Sequence, residues 1–132
     1  MKALKSSVSV LSLLLLCSCA KLLPAPVEIN VRPAQICKDY RDNEVRAEAM
    51  YRGKTITVKG KARGIVKAES PLDHGGFSLE VDGAVIFYSA SQDSELYDIQ
   101  KGKTYTVRGE ILDIGIALYA PCQITLTRGY IK

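Results

Sequence analysis

From Thr55 onward the apolar residues recur at every second position, and this pattern constrains the fold more than anything else in the chain. Ile56, Val58 and Ala62 alternate with Thr57, Lys59 and Lys61. A period of two sends successive side chains to opposite faces of a strand, so one face is core and the other is solvent. The spacing predicts a long first strand over residues 55–68, with Gly60 and Gly64 inside it. Glycines within a strand mark bulges or the tight bends of a barrel corner. Pro71, Asp73 and the Gly75-Gly76 pair read as a loop. Phe77, Leu79 and Val81 give a second strand. Asp82-Gly83 is a two-residue hairpin signal, and residues 84–88 form the third strand. Residues 91–97 read as a short helix and Lys101-Gly102 as a turn. Tyr105, Val107, Gly109 and Ile111 alternate in a fourth strand, and a fifth is expected over 116–126, interrupted near Pro121.

The chain before Thr55 has a different period. Ile36, Tyr40, Ala47 and Tyr51 fall on one helical face, so residues 34–52 read as helix. Asp42-Asn43 marks a break, with Asn43 capping a second short helix, and Gly53 ends it. Residues 21–33 hold Pro24, Pro26 and Pro33 and read as a stiff spacer of up to ~40 Å.

The N-terminus is a leader. Lys2 and Lys5 precede an apolar run with four consecutive leucines, and Leu16-Cys17-Ser18-Cys19 follows. These are the three regions of a signal peptide, and the run falls short of the ~20 apolar residues that span a bilayer. Leu16-Cys17-Ser18-Cys19 resembles the bacterial lipobox, with Leu three residues before the modified cysteine and a small residue directly before it. The resemblance implies cleavage after Ser18 and acylation of Cys19, hence a membrane partner through a lipid anchor on the periplasmic side. Ala20, where Asp would favour inner-membrane retention in enterobacteria, leans towards the outer membrane of a Gram-negative host. The expected division is a signal peptide over 1–18, a lipidated cysteine and proline-rich tether over 19–33, and one domain over 34–132.

That processing simplifies charge and cysteine chemistry. The chain carries 18 Lys+Arg against 14 Asp+Glu, a formal +4. Two lysines leave with the leader, and the remaining roughly +2 is too balanced to argue for nucleic acid by charge alone. Of four cysteines, Cys17 is discarded and Cys19 is acylated. Cys37 and Cys122 remain, in an oxidising compartment where a disulfide is expected. Two buried free thiols are the alternative.

Five strands with a link after the third is the order of an OB-fold barrel. The stretch Asp42-Asn43-Glu44-Val45, Ala47 and Tyr51 to Gly60 resembles the opening of the tRNA_anti-like OB-fold family. So do Lys101-Gly102-Lys103, Val107-Arg108-Gly109 and a late Cys122-Gln123-Ile124. The resemblance covers about residues 36–126 and implies a mainly β, five-stranded OB-fold barrel with an N-terminal helical segment. Its motifs are glycines and core positions, so it implies a fold and no particular activity.

The sequence offers little for catalysis. Its single histidine is His74, beside Asp73. One imidazole cannot hold zinc without three more ligands, and no serine carries a nucleophile motif. The expectation is a non-catalytic binding or adaptor module of the cell envelope, with no cofactor and no metal. Lys59, Lys61 and Arg63 share the outward face of the first strand, and Arg108 has the outward parity on the fourth. These four are the candidate site for an anionic envelope ligand or an envelope protein, with Glu110 tempering the charge. One rival is an envelope enzyme, or an inhibitor of one, working near His74; another is an oligonucleotide binder. OB folds hold single strands on aromatic platforms of strands two and three. Here Phe77 and Phe87 have the parity of core residues, which leaves Tyr88, and nucleic acid is not the expected partner. Tyr40, Tyr51 and Tyr105 are expected to pack in the core with hydroxyls at its edge; Tyr97 and Tyr119 are surface candidates.

Overall fold

The computed structural model describes residues 24–132 apart from 69, 71–73 and 118–119. The leader, Cys19, Ala20, Asp73 and Tyr119 lie outside the described residues.

Two helices precede the strands: α1, Pro33–Asp42, and α2, Glu44–Tyr51. Pro33 starts α1, where its missing N–H costs nothing. Asn43 ends α1 in an extended conformation and caps α2, its side chain accepting from the Arg46 N–H at 3.0 Å. Ile36, Ala47 and Tyr51 are buried and Tyr40 is half-buried, as the helical spacing expects. The Tyr51 hydroxyl donates to Asp39, tying the helices together. Arg52 clamps α2 to the sheet: its Nε donates to the Leu112 carbonyl at 2.9 Å, and its guanidinium reaches Asp113 at 3.5 Å.

The strands are β1, Thr55–Val66; β2, Gly76–Val81; β3, Ala84–Ser89; β4, Thr104–Ala117; and β5, Ala120–Ile131. They close a barrel in the order β1-β2-β3-β5-β4. β3 and β5 run parallel and the other neighbours antiparallel. A short 3-10 helix, Asp93–Leu96, links β3 to β4. This is the expected five-stranded barrel with helices N-terminal to it. Inward residues alternate around the wall: Ile56, Val58, Phe77, Leu79, Ile86, Val107, Ile111, Ile124 and Leu126 are all at least nine-tenths buried. Each such side chain contributes roughly 1.5–3 kcal/mol by leaving water.

The β2–β3 connection follows from two residues. Asp82 and Gly83 take φ of +51° and +78°, which makes the tight turn that matches sheet twist. β1 carries a register shift between Ala62 and Gly64 that bends it from one neighbour to the other. β5 bends at Arg128-Gly129, where a Cβ on Gly129 would overlap the Arg108 carbonyl. Cys37 and Cys122 are bonded, with Cα atoms 5.8 Å apart and a sequence separation of 85. Closing so long a loop is worth about 4–5 kcal/mol in the chain-entropy description.

Three details differ from expectation. Ile116 belongs to β4, and β5 runs on to Ile131 rather than ending near Leu126. Phe87 is half-buried on the outer face while Tyr88 is fully buried, the reverse of the expected phase. The hairpin pairs Phe77 with Tyr88 and Leu79 with Ile86, so the inward side of β2 dictates the inward side of β3. Finally, the segment read as a spacer is docked from Val27 onward. Glu28 bridges Thr55 in parallel; Thr55 N donates to the Val27 carbonyl and Ile29 N to the Thr55 carbonyl, both at 2.9 Å. Ile29 and Val31 pack against the core.

Candidate ligand-binding face

The outer positions of β1 are Thr57, Lys59, Lys61 and Arg63, all exposed. Their registry with β4 builds a wall in rungs. Thr57 pairs with Arg108, Lys59 with Thr106 and Lys61 with Thr104. β5 extends two of the rungs. Arg108 pairs with Tyr130, and Thr106 exchanges two backbone hydrogen bonds of 2.8 Å with Lys132. The wall therefore reads Thr57–Arg108–Tyr130, then Lys59–Thr106–Lys132, then Lys61–Thr104. It brings together Lys59, Lys61 and Arg108 of the predicted stripe and adds Tyr130 and Lys132, while Arg63 lies past the last rung, at the bulge where β1 turns to β2.

Charge is unevenly satisfied along this wall. Arg63 Nε lies 3.0 Å from the Glu80 carboxylate. Arg108 lies 3.2 Å from Glu28, whose other oxygen accepts from the Thr57 hydroxyl at 3.1 Å. The Arg108 hydrogen bond, and then that of Thr57, holds the Glu28 carboxyl below the usual carboxylate range. Glu110 turns to Arg128, at 3.9 Å, rather than to Arg108. Among the described residues no carboxylate lies within ion-pair distance of Lys59, Lys61 or Lys132. Tyr130 sits between two cations, 5.9 Å from the Arg108 guanidinium and 5.3 Å from the Lys132 ammonium, within the range of a cation–π contact.

Beyond the Lys61 rung the wall opens into a groove of about 640 Å³ lined by Lys61, Ala62, Arg63, Glu80, Lys101 and Gly102. The turn at Gly102 is held against β1 by Gly102 N to the Ala62 carbonyl and Ala62 N to the Lys103 carbonyl, both 2.8 Å. Lys101 and Lys103 are exposed beside it. A chain of ammonium groups on a rigid wall can bind phosphates, carboxylates or sulfates by charge, with little geometric selectivity. A second groove, of about 400 Å³, lies at the same end between Ile65, Val66, Lys67, Asp93, Leu96 and Tyr97. Tyr97 is well exposed there.

The wall of β2 and β3 is built differently. Its outer positions are Ser78, Glu80, Val85 and Phe87. Tyr88, expected as a surface platform, is 0% exposed, and its hydroxyl donates to Glu95 at 3.1 Å. The same Glu95 accepts from Ser91 N and Gln92 N at 2.9 and 3.2 Å, which fixes the 3-10 helix. Burial, then the Glu95 carboxylate, pushes the Tyr88 hydroxyl up to about 12. Tyr105 packs edge-on against Phe77, and its hydroxyl accepts from Gln100 N at 2.8 Å. His74 is exposed. Among the described residues no group of three or more His, Cys, Asp or Glu side chains could hold a metal, and no helix is long and apolar enough to cross a membrane.

Sequence reasoning missed Tyr130 and Lys132 because the apolar alternation of β5 breaks at Arg128-Gly129. The β-prone pair Tyr130-Ile131 after that glycine was the available signal.

Comparison with known proteins agrees with this architecture. A crystal structure of a lipoprotein from Klebsiella pneumoniae subsp. pneumoniae MGH 78578, proposed to bind nucleic acid, superposes with a TM-score of 0.55 at 14% identity. The match covers 81% of this chain and 92% of that one. At such identity the likeness is one of fold. No curated protein shows significant similarity. The profile of the tRNA_anti-like family matches residues 19–122, nearly all of the domain and the segment before it. The chain belongs to the tRNA_anti-like family.

Proposed function

We propose that this protein is a membrane-anchored, periplasmic lipoprotein whose OB barrel is a non-catalytic binding module for an anionic partner in the cell envelope. The carrying observation is the row of Lys59, Lys61 and Lys132 on one rigid wall, with the neighbouring carboxylates committed to Arg63 and Arg108. The lipobox-like Leu16-Cys17-Ser18-Cys19 supports the anchor, and the buried Cys37–Cys122 bond suits an oxidising compartment. The test is intact mass of protein purified from membranes after expression with its own leader. A mass of acylated Cys19 onward, gaining about two daltons on reduction of the disulfide, is expected. A mass retaining Met1 without acyl chains overturns the anchor.

One observation favours a second reading. Tyr130 among Arg108 and Lys132 is an aromatic surface in a basic setting, the combination that holds single-stranded nucleic acid. Under that reading an oligonucleotide binds with a steep salt dependence set by the basic side chains, and Tyr130→Ala weakens binding by about 1–3 kcal/mol through lost stacking.

A further inference from the structure

We infer that the basic wall of β1, β4 and β5 lies against the anionic headgroups of the same membrane that holds the chain's anchor. The inference rests on the acylation of Cys19 proposed above. It starts from where the tether joins the barrel. Val27–Ile29 runs beside Thr55, and Glu28 reaches Thr57 and Arg108, the first rung of the wall. The chain thus leaves the domain at the edge of its most basic surface. From Val27 back to Cys19 there are about eight residues, rich in proline, which span ~25 Å when extended. Successive rungs on one face are two residues apart, ~7 Å. Arg108, Lys59 and Lys61 therefore lie within roughly 20 Å of Val27, inside the reach of the tether.

A free barrel would have to find such a surface by diffusion; an anchored one is held within a tether's length of it. The attraction decays over a Debye length of ~8–10 Å, so only a wall that touches the bilayer is held. Each basic side chain near an anionic surface multiplies the population of the bound state by about five. Lys59, Lys61 and Lys132 have no carboxylate partner among the described residues and share that wall. Tyr130, 45% exposed, has the amphipathic ring suited to the headgroup layer. The opposite wall of Ser78, Val85 and Phe87 has no such charge, so the orientation has one preferred sense.

The experiment uses the mature acylated protein reconstituted into vesicles of phosphatidylcholine with and without phosphatidylglycerol. Flotation reports the anchor, and the rate of amine acylation at each lysine, read by mass spectrometry, reports the wall. Flotation with both vesicles is expected. Acylation of Lys59, Lys61 and Lys132 slows about fivefold on phosphatidylglycerol alone, while Lys38 on α1 keeps its rate. High salt removes the protection. In K59Q/K61Q, which alters only exposed side chains, Lys132 loses its protection and flotation persists. Flotation on both vesicles with equal reactivity overturns the docking and leaves the anchor intact. Failure to float on phosphatidylcholine overturns the anchor itself, and the docking with it. Protection of the same lysines by a single-stranded oligonucleotide, but not by phosphatidylglycerol, overturns the docking in favour of nucleic acid.

Discussion

The β2–β3 wall and the β1–β4–β5 wall belong to one closed sheet, yet they spend their aromatic and charged residues in opposite directions. On β2 and β3 the rings of Phe77 and Tyr88 turn inward, 6.0 Å apart, and the outer surface keeps Ser78, Val85, Phe87 and a single carboxylate, Glu80. On β1, β4 and the last residues of β5 the interior is mainly aliphatic, with Ile56, Val58, Val107 and Ile111, and Tyr105 is its one inward ring, edge-on against Phe77. The outer surface there carries Lys59, Lys61, Arg63, Arg108, Tyr130 and Lys132. In OB folds that grip oligonucleotides, the second and third strands carry the binding face. This barrel keeps the scaffold and carries its electrostatic surface on another side, next to the docked segment Val27–Ile29.

Replacing Tyr88 is the severest test of its place in the core. Tyr88→Ala removes a fully buried ring and should cost about 3–5 kcal/mol in chemical denaturation. Tyr88→Phe keeps the ring and loses the hydroxyl's hydrogen bonds, chiefly that to Glu95, about 1 kcal/mol. A Tyr88→Ala protein as stable as the parent would mean that the ring is a surface platform after all. The same contrast has a pH signature. Tyr88 and Tyr51 are both pushed up to about 12, burial being the main cause for each. Their folded values lie above the unfolded value of ~10, so their contribution is complete below pH 10 and is lost as pH rises towards 12. The thermal midpoint should fall across that window, and Tyr88→Phe should flatten the fall. A midpoint as steep in Tyr88→Phe as in the parent would assign the alkaline transition elsewhere.

Much of this organisation is legible in the residues. The alternation of Ile56, Val58 and Ala62 gives β1 and its basic face, Asn43 gives the helix break, and Asp82-Gly83 gives the hairpin. What misled was phase. Val85, Ile86, Phe87 and Tyr88 are all apolar or aromatic, so period two alone cannot say which pair faces in. The two-residue turn does say it, because it forces Val81 opposite Ala84 and hence Leu79 opposite Ile86. The docking of the tether was hidden for another reason. Pro24, Pro26 and Pro33 dominate that segment, although Val27, Ile29 and Val31 alternate with Glu28 and Asn30 as a strand does. Lys132 and Tyr130 stayed out of the site because a bulge at Arg128-Gly129, with Arg128 at φ +53°, resets the alternation.

With protein lacking its acyl chains, K59Q/K61Q should weaken attachment to phosphatidylglycerol vesicles by about 2 kcal/mol, roughly 30-fold. Phe87→Ala, on the other wall, should change it by less than about twofold, since no charge is removed. Equal losses in the two variants would erase the distinction between the walls.

The smallest effect tests the seam where tether and wall meet. Glu28 occupies Arg108 and Thr57 at once, so the tether withholds one cation from the surface it borders. Its carboxyl is held below the ordinary range by Arg108 first and Thr57 second. A depressed carboxylate makes its contact above the unfolded value and loses it as pH falls through the lower folded one. Neutralising the group at constant pH should do the same. Glu28→Gln should release Arg108 and strengthen attachment to anionic vesicles about fivefold, with Val27–Ile29 still docked through its backbone bonds to Thr55. Combining it with Arg108→Gln should cancel the gain, because the released cation is then gone. A gain that survives the double substitution would place its origin in the net charge of the tether rather than in Arg108, and the wall would end at the Lys59 rung.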